Sequence, residues 1–104
     1  MIVTTTDAIP GATIVESLGL VRGSTVRSRH IGRDIMAGFR NIVGGEVVEY
    51  TKLLAEAREQ SIQRMIESAE SMGANAIVGT RFITAAVAQG AAEIVAYGTA
   101  VKTS

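Results

Sequence analysis

Arg29, Arg33 and Arg40 stand at spacings of four and seven, which lines three guanidinium groups along one stripe of a helix. Guanidiniums so arranged grip a carboxylate or phosphate through paired N–H donors, and backbone amides near Ile31 and Gly32, at the start of such a helix, would add to the field. Arg33, Asp34, Arg40, Asn41 and Tyr50 are the residues expected at an anion site of this kind. The alternative role is structural. Arg33 and Arg40 would form ion pairs with Asp34, Glu46 or Glu49 across a subunit interface, Asn41 would fix the turn before Gly44-Gly45, and Tyr50 would sit in an apolar helical stripe with its hydroxyl satisfied inside.

Metal chemistry is poorly provided for. A zinc or copper site takes three or four His, Cys or carboxylate ligands, and the chain has one His and no Cys. His30 and Asp34, four apart, could contribute only if symmetry multiplied them into a ring. Asp7, Glu16 and Asp34 could be gathered the same way for a hard cation, but nothing in their spacing selects one.

No motif ties a Ser or Thr to the single His, so no catalytic residue and no cofactor are expected. Gly44-Gly45 lacks the Gly-rich run ending in Lys-Ser/Thr that cradles phosphate, and follows a helical pattern where such loops follow strands.

Bulk composition narrows the partners. Ten basic residues balance ten acidic ones and the isoelectric point is about 6.6, whereas a nucleic-acid binder carries a basic excess. The N-terminus has no basic, apolar leader pattern and no stretch approaches the roughly 20 apolar residues of a membrane span. A soluble, cytoplasmic protein with no nucleic-acid or membrane partner is expected.

The elements that would position these residues follow from periodicity. Residues 2–6 read as a short strand, ended by a turn around Pro10. Residues 12–27 alternate apolar and polar with apolar weight on both faces, and Gly19 and Gly23 mark a bulge or bend in one long strand or two short ones. Residues 31–43 take helical spacing through Ile31, Ile35, Phe39 and Ile42. After Gly44-Gly45 a second helix runs from about 46 to 72 without Gly or Pro, and Gly73 caps it. Residues 76–87 and 93–101 then read as two strands joined at Gln89-Gly90, with Asn75 as turn chemistry.

One domain over residues 1–104 accounts for this pattern, of the α+β class. A helix of about 27 residues is roughly 40 Å long at about 1.5 Å per residue. A compact chain of this length has a diameter of roughly 34 Å. The helix would overhang the monomer, and one layer of helices cannot cover both faces of a sheet, so a homo-oligomer is expected.

The run Gly32-Arg33-Asp34-Ile35, then Phe39-Arg40-Asn41-Ile42-Val43-Gly44-Gly45, Tyr50 and Ala57-Arg58-Glu59 resembles the YbjQ-like family of uncharacterised bacterial and archaeal proteins. Gly73-Ala74-Asn75-Ala76-Ile77-Val78-Gly79, Arg81-Phe82 and Tyr97-Gly98-Thr99-Ala100-Val101 continue the likeness in order, across essentially the whole chain. The resemblance implies a two-layer α/β subunit with an antiparallel sheet, similar to the dodecin subunit, that assembles into a homopentameric ring. It also implies a label of heavy-metal binding. This chain departs from the usual pattern at His30.

Overall fold

The computed structural model describes the backbone of residues 1–28, 45–88 and 91–104, and the side chains of 1–27, 52–86 and 91–104. Its elements are β1 (Ile2–Val3), β2 (Ile14–Ser28), the helix α1 (Gly45–Ser71), β3 (Ala76–Ala88) and β4 (Ala91–Thr103). The alternation read over residues 12–27 thus belongs to one long strand, Ile14–Ser28, and the long second helix is present. The helix expected over 31–43 and the Gln89-Gly90 turn lie outside the described residues.

The strands form one sheet in the order β1-β3-β4-β2, with α1 laid on one face. β4 pairs antiparallel with both β2 and β3, and β1 adds a short parallel ladder to β3. The result is an α+β fold whose antiparallel core carries one parallel edge strand.

α1 buries Ala57, Ser61, Met65 and Ala69, four residues apart. Small side chains at three of these positions bring the helix close to the sheet. Below them lie Val21, Ile77, Ala96 and Ala100. The opposite sheet face has a smaller cluster of Ala76, Val78 and Val101, roofed by Ile9 from the segment after β1. Fully burying a side chain the size of Met65, Ile77 or Val101 contributes about 1.5–3 kcal/mol, so these two clusters hold the layers in place.

Two glycines are explained by different physics. Gly19, with φ +108°, sits at a register shift between β2 and β4, which is the expected bulge. Gly23 marks no bend. A Cβ there would overlap the Ser61 carbonyl oxygen and the Met65 amide nitrogen, so it is the point where helix and strand backbones meet. Alternation along the strand could not reveal a demand made by another element.

α1 ends as its sequence requires. Gly73 takes φ +85°, its N–H bonds the Glu70 carbonyl, and the Ala74 N–H bonds the Ala69 carbonyl, each at 3.0 Å. This paired arrangement satisfies carbonyls the helix leaves open. Asn75 then does more than turn the chain. Its Oδ1 accepts from the Thr103 N–H at 2.9 Å and its Nδ2 donates to the Thr103 carbonyl at 3.1 Å, so a side chain extends the β3–β4 ladder by one step.

The Cα radius of gyration is 17.1 Å, against about 13 Å for a compact chain of this length. The longest extent, 55 Å, exceeds the roughly 40 Å of α1, so the overhang argued from a spherical subunit does not apply. What goes uncovered is sheet.

Candidate functional site

His30, Arg33, Asp34, Arg40 and Asn41 lie outside the described residues. Tyr50 lies in the early part of α1, where the backbone alone is described. The described structure therefore neither assembles nor separates the site anticipated from sequence.

The described residues do bring together a different set. On the sheet face away from α1, Tyr97 of β4 stands in register with Arg22 of β2 on one side and Arg81 of β3 on the other. Directly paired residues share a face, so two guanidiniums flank one phenol in a single row. The Cα positions of the two arginines are two strand spacings apart, roughly 10 Å, with Tyr97 between them in the row. Arg22 and Arg81 are exposed and Tyr97 is half-buried.

A bulge places Arg81 in that row. Register slips between Val78 and Arg81, and Gly79 takes φ +62°. The slip flips the side-chain alternation of β3, turning Arg81 toward Tyr97 and Phe82 toward the helix side. The Arg81 Nη1 donates to the Thr5 carbonyl at 2.9 Å and the Thr80 carbonyl at 2.8 Å. Those bonds engage one nitrogen of a group with five N–H donors, so the anchored guanidinium can still take a second acceptor.

The described ion pair, Lys102 with Glu16 at 3.9 Å, involves neither arginine. Two carboxylates lie near the row: Glu93, paired with Val26 and Ala85, stands four residues along β4 from Tyr97, and Asp7 Oδ1 lies beside Gly79, 3.7 Å from where a Cβ would stand. Around the row lie uncovered apolar side chains: Leu20 is 68% exposed, Val26 57% and Ile83 54%. An apolar surface carrying two arginines suits a partly apolar anion, or the surface of another subunit that brings a carboxylate.

A second polar cluster lies in the seam between α1 and β2. Arg27 Nη2 donates to Gln60 Oε1 at 2.9 Å, and Arg64 Nη1 donates to the Ser24 carbonyl at 2.6 Å. Thr25 Oγ1 and Arg27 Nε are buried there without a partner, each an unmet demand of about 1–3 kcal/mol. These bonds tie the helix to the far half of β2. They are positioning contacts, since the orphaned atoms are sealed from solvent.

Sequence reasoning missed Arg22 and Arg81 as a pair. Arg22 was visible only as a polar residue in an alternating strand. Arg81 and Tyr97 were visible only as parts of separate blocks. Their meeting depends on register and on the Gly79 bulge, which no short-range pattern encodes.

Among the described residues no group of three or more His, Cys, Asp or Glu could surround a metal ion. With one His and no Cys in the whole chain, the donor set does not fit a soft heavy metal. No described helix is long and apolar enough to cross a membrane.

Three comparisons place the chain among known proteins. A family model described as "Putative heavy-metal-binding", YbjQ_1, matches residues 1–104. The chain is 59% identical to a UPF0145 protein of Methanosarcina acetivorans over 98% of this chain and 96% of the relative. It is 54% identical to one of Thermus thermophilus over 98% and 90%. A crystal structure from Pediococcus pentosaceus, of a protein with unknown function in the DUF74 family, superposes with a TM-score of 0.67 at 16% identity, covering 100% of this chain and 98% of that one. That likeness speaks for the fold alone. The heavy-metal description finds no donor set among the described residues, while the full-length match and the high identity agree with each other: the chain belongs to the YbjQ family of UPF0145 proteins.

Proposed function

We propose that the protein is a homo-oligomeric scaffold of the cytoplasm, a ring of five by the family likeness, that holds a small anion between its subunits. The observation that carries this reading is the sheet face away from α1, where Leu20, Val26 and Ile83 are left open around the row Arg22, Tyr97, Arg81. Covering each of the three apolar side chains would contribute at most about 1.5–3 kcal/mol, which favours a covered face. The two guanidiniums select what the covered face accepts: a carboxylate or phosphate, bound by charge-assisted hydrogen bonds. Arg33 and Arg40 are further anion contacts under this reading.

Equilibrium dialysis against inorganic phosphate and against acetate tests the binding half. Uptake by the wild type that falls on Arg22→Ala or Arg81→Ala, with the assembly mass unchanged, supports it. Variants that dissociate the assembly make the arginines interface locks and leave a purely structural scaffold. Absence of uptake of either anion at millimolar concentration removes the binding role.

A further inference from the structure

β3 is the described strand with the least cover. Residues 81–86 are exposed without exception, with Phe82 at 43% on the helix side and Ile83 on the other. α1 lies mainly over β2 and β4. The N-terminal segment accompanies β3 only as far as Thr80, through bonds from the Thr4 N–H to the Ile77 carbonyl, from the Gly79 N–H to the Thr6 carbonyl and from the Thr80 N–H to the Thr4 carbonyl. Past Thr80 no described strand pairs with the outer edge of β3. Among the described residues this stretch is therefore open on two faces and one edge.

Its composition makes the edge adhesive. Phe82-Ile83-Thr84-Ala85-Ala86 contains no charge, proline or glycine, and those are the residues that keep edge strands from pairing with other chains. An open, uncharged strand edge is a template for another strand.

At the opposite side of the same sheet, β2 is paired only with β4. Its first part is irregular, with register shifts between Ile14 and Glu16 and between Ser17 and Gly19, but residues 20–27 run in unbroken register. Arg64 reaches the Ser24 carbonyl in this stretch, and a carbonyl oxygen keeps a second lone pair for another donor.

We infer that the β3 edge at residues 82–86 of one copy pairs with the β2 edge at residues 20–27 of the next, continuing the sheet from subunit to subunit. The inference rests on the oligomeric reading above and adds to it an edge contact between copies, distinct from the covering of the sheet face. Both strands run antiparallel to β4, so repeating the sheet without inversion brings β2 and β3 together in parallel. A two-fold contact would pair one edge with itself and leave the other open in every subunit. The head-to-tail contact uses both edges of every subunit, and contacts of that kind close into a ring when the rotation between copies closes, and otherwise extend into filaments.

The chain has no cysteine, so introduced thiols report the contact without background. Ser24→Cys on β2 and Ala85→Cys on β3 are exposed positions of the same sheet face. The two variants, carrying different tags, are co-expressed and treated with a short bis-maleimide. The contact predicts a covalent heterodimer in the mixture and loss of that product when either variant is treated alone. Self-crosslinking of Ser24→Cys alone or of Ala85→Cys alone would show a two-fold edge and overturn the inference. So would an assembly, intact by native mass, in which no crosslink forms. A second variant, Thr84→Lys with Ala86→Lys, puts charge on the β3 edge: it predicts monomers with unchanged far-ultraviolet circular dichroism, and persistence of the assembly would contradict the contact. A wild type that is itself monomeric would instead defeat the oligomeric reading, so the two failures are distinguishable.

Discussion

Gly23 lies directly against Ser61: the Cα of a glycine in β2 touches the backbone of the helix above it, leaving no room for a Cβ beside the Ser61 carbonyl oxygen. Ser61 is itself fully buried, and its hydroxyl donates to the Arg58 carbonyl at 2.8 Å. The contact sets the distance between the two layers.

Gly23→Ala is therefore expected to destabilise the fold, because the obstructing atoms are backbone and cannot rotate away. Overpacking of this kind costs about 1–3 kcal/mol. Urea unfolding followed by circular dichroism measures it. A variant as stable as the wild type would mean that helix and strand are farther apart than described.

Asn75→Ala removes the two bonds between the Asn75 side chain and the Thr103 backbone, together with a longer one that its Oδ1 accepts from the Thr103 hydroxyl at 3.3 Å. At about 0.5–1.5 kcal/mol per bond, a loss of about 1–3 kcal/mol is expected. Amide exchange should show the effect concentrated at the Thr103 N–H, whose described acceptor is the Asn75 Oδ1. Uniform loosening across the sheet would point to a different role.

The Lys102–Glu16 pair joins two exposed side chains across β2 and β4 at 3.9 Å. Glu16→Gln is expected to change stability by less than about 1 kcal/mol, and the difference should vanish at about 1 M salt, where charges are screened within about 3 Å. A salt-independent loss would assign Glu16 to something other than this pair.

Arg22→Ala and Arg81→Ala are expected to differ in a second property besides anion uptake. Arg81 also bonds the Thr5 carbonyl, which ties down the segment after β1, whereas Arg22 makes no described bond to that segment. Proteolysis in the stretch from Thr4 to Ala8 should accelerate in Arg81→Ala and stay unchanged in Arg22→Ala. Equal acceleration in both would show that the anchoring does not come from Arg81.

Elements whose signal is local were legible in the sequence. The absence of Gly and Pro between residue 46 and residue 72 marked α1, Gly73 marked its end, and alternation marked β2. What depends on contact between distant segments was not. The role of Gly23 is dictated by Ser61 in another layer. The parallel pairing of β1 with β3 depends on Ile2 meeting Ala76, and the Arg22, Tyr97, Arg81 row depends on a bulge that shifts register by one residue. Of the two arguments for oligomerisation, helix length does not apply, because the long strands make a subunit longer than the helix, whereas the two-sided apolar strands do correspond to an open face, with Leu20, Val26 and Ile83 exposed.

The measurement that bears most directly on the account is native mass spectrometry of untagged protein purified without added metal. The account predicts a discrete multiple of the 10.9 kDa chain, a ring of five, carrying a reproducible extra mass that a phosphate- or carboxylate-free exchange removes. A monomer under the same conditions would contradict it, since the open face of β2, β3 and β4 would then stand in water without a partner.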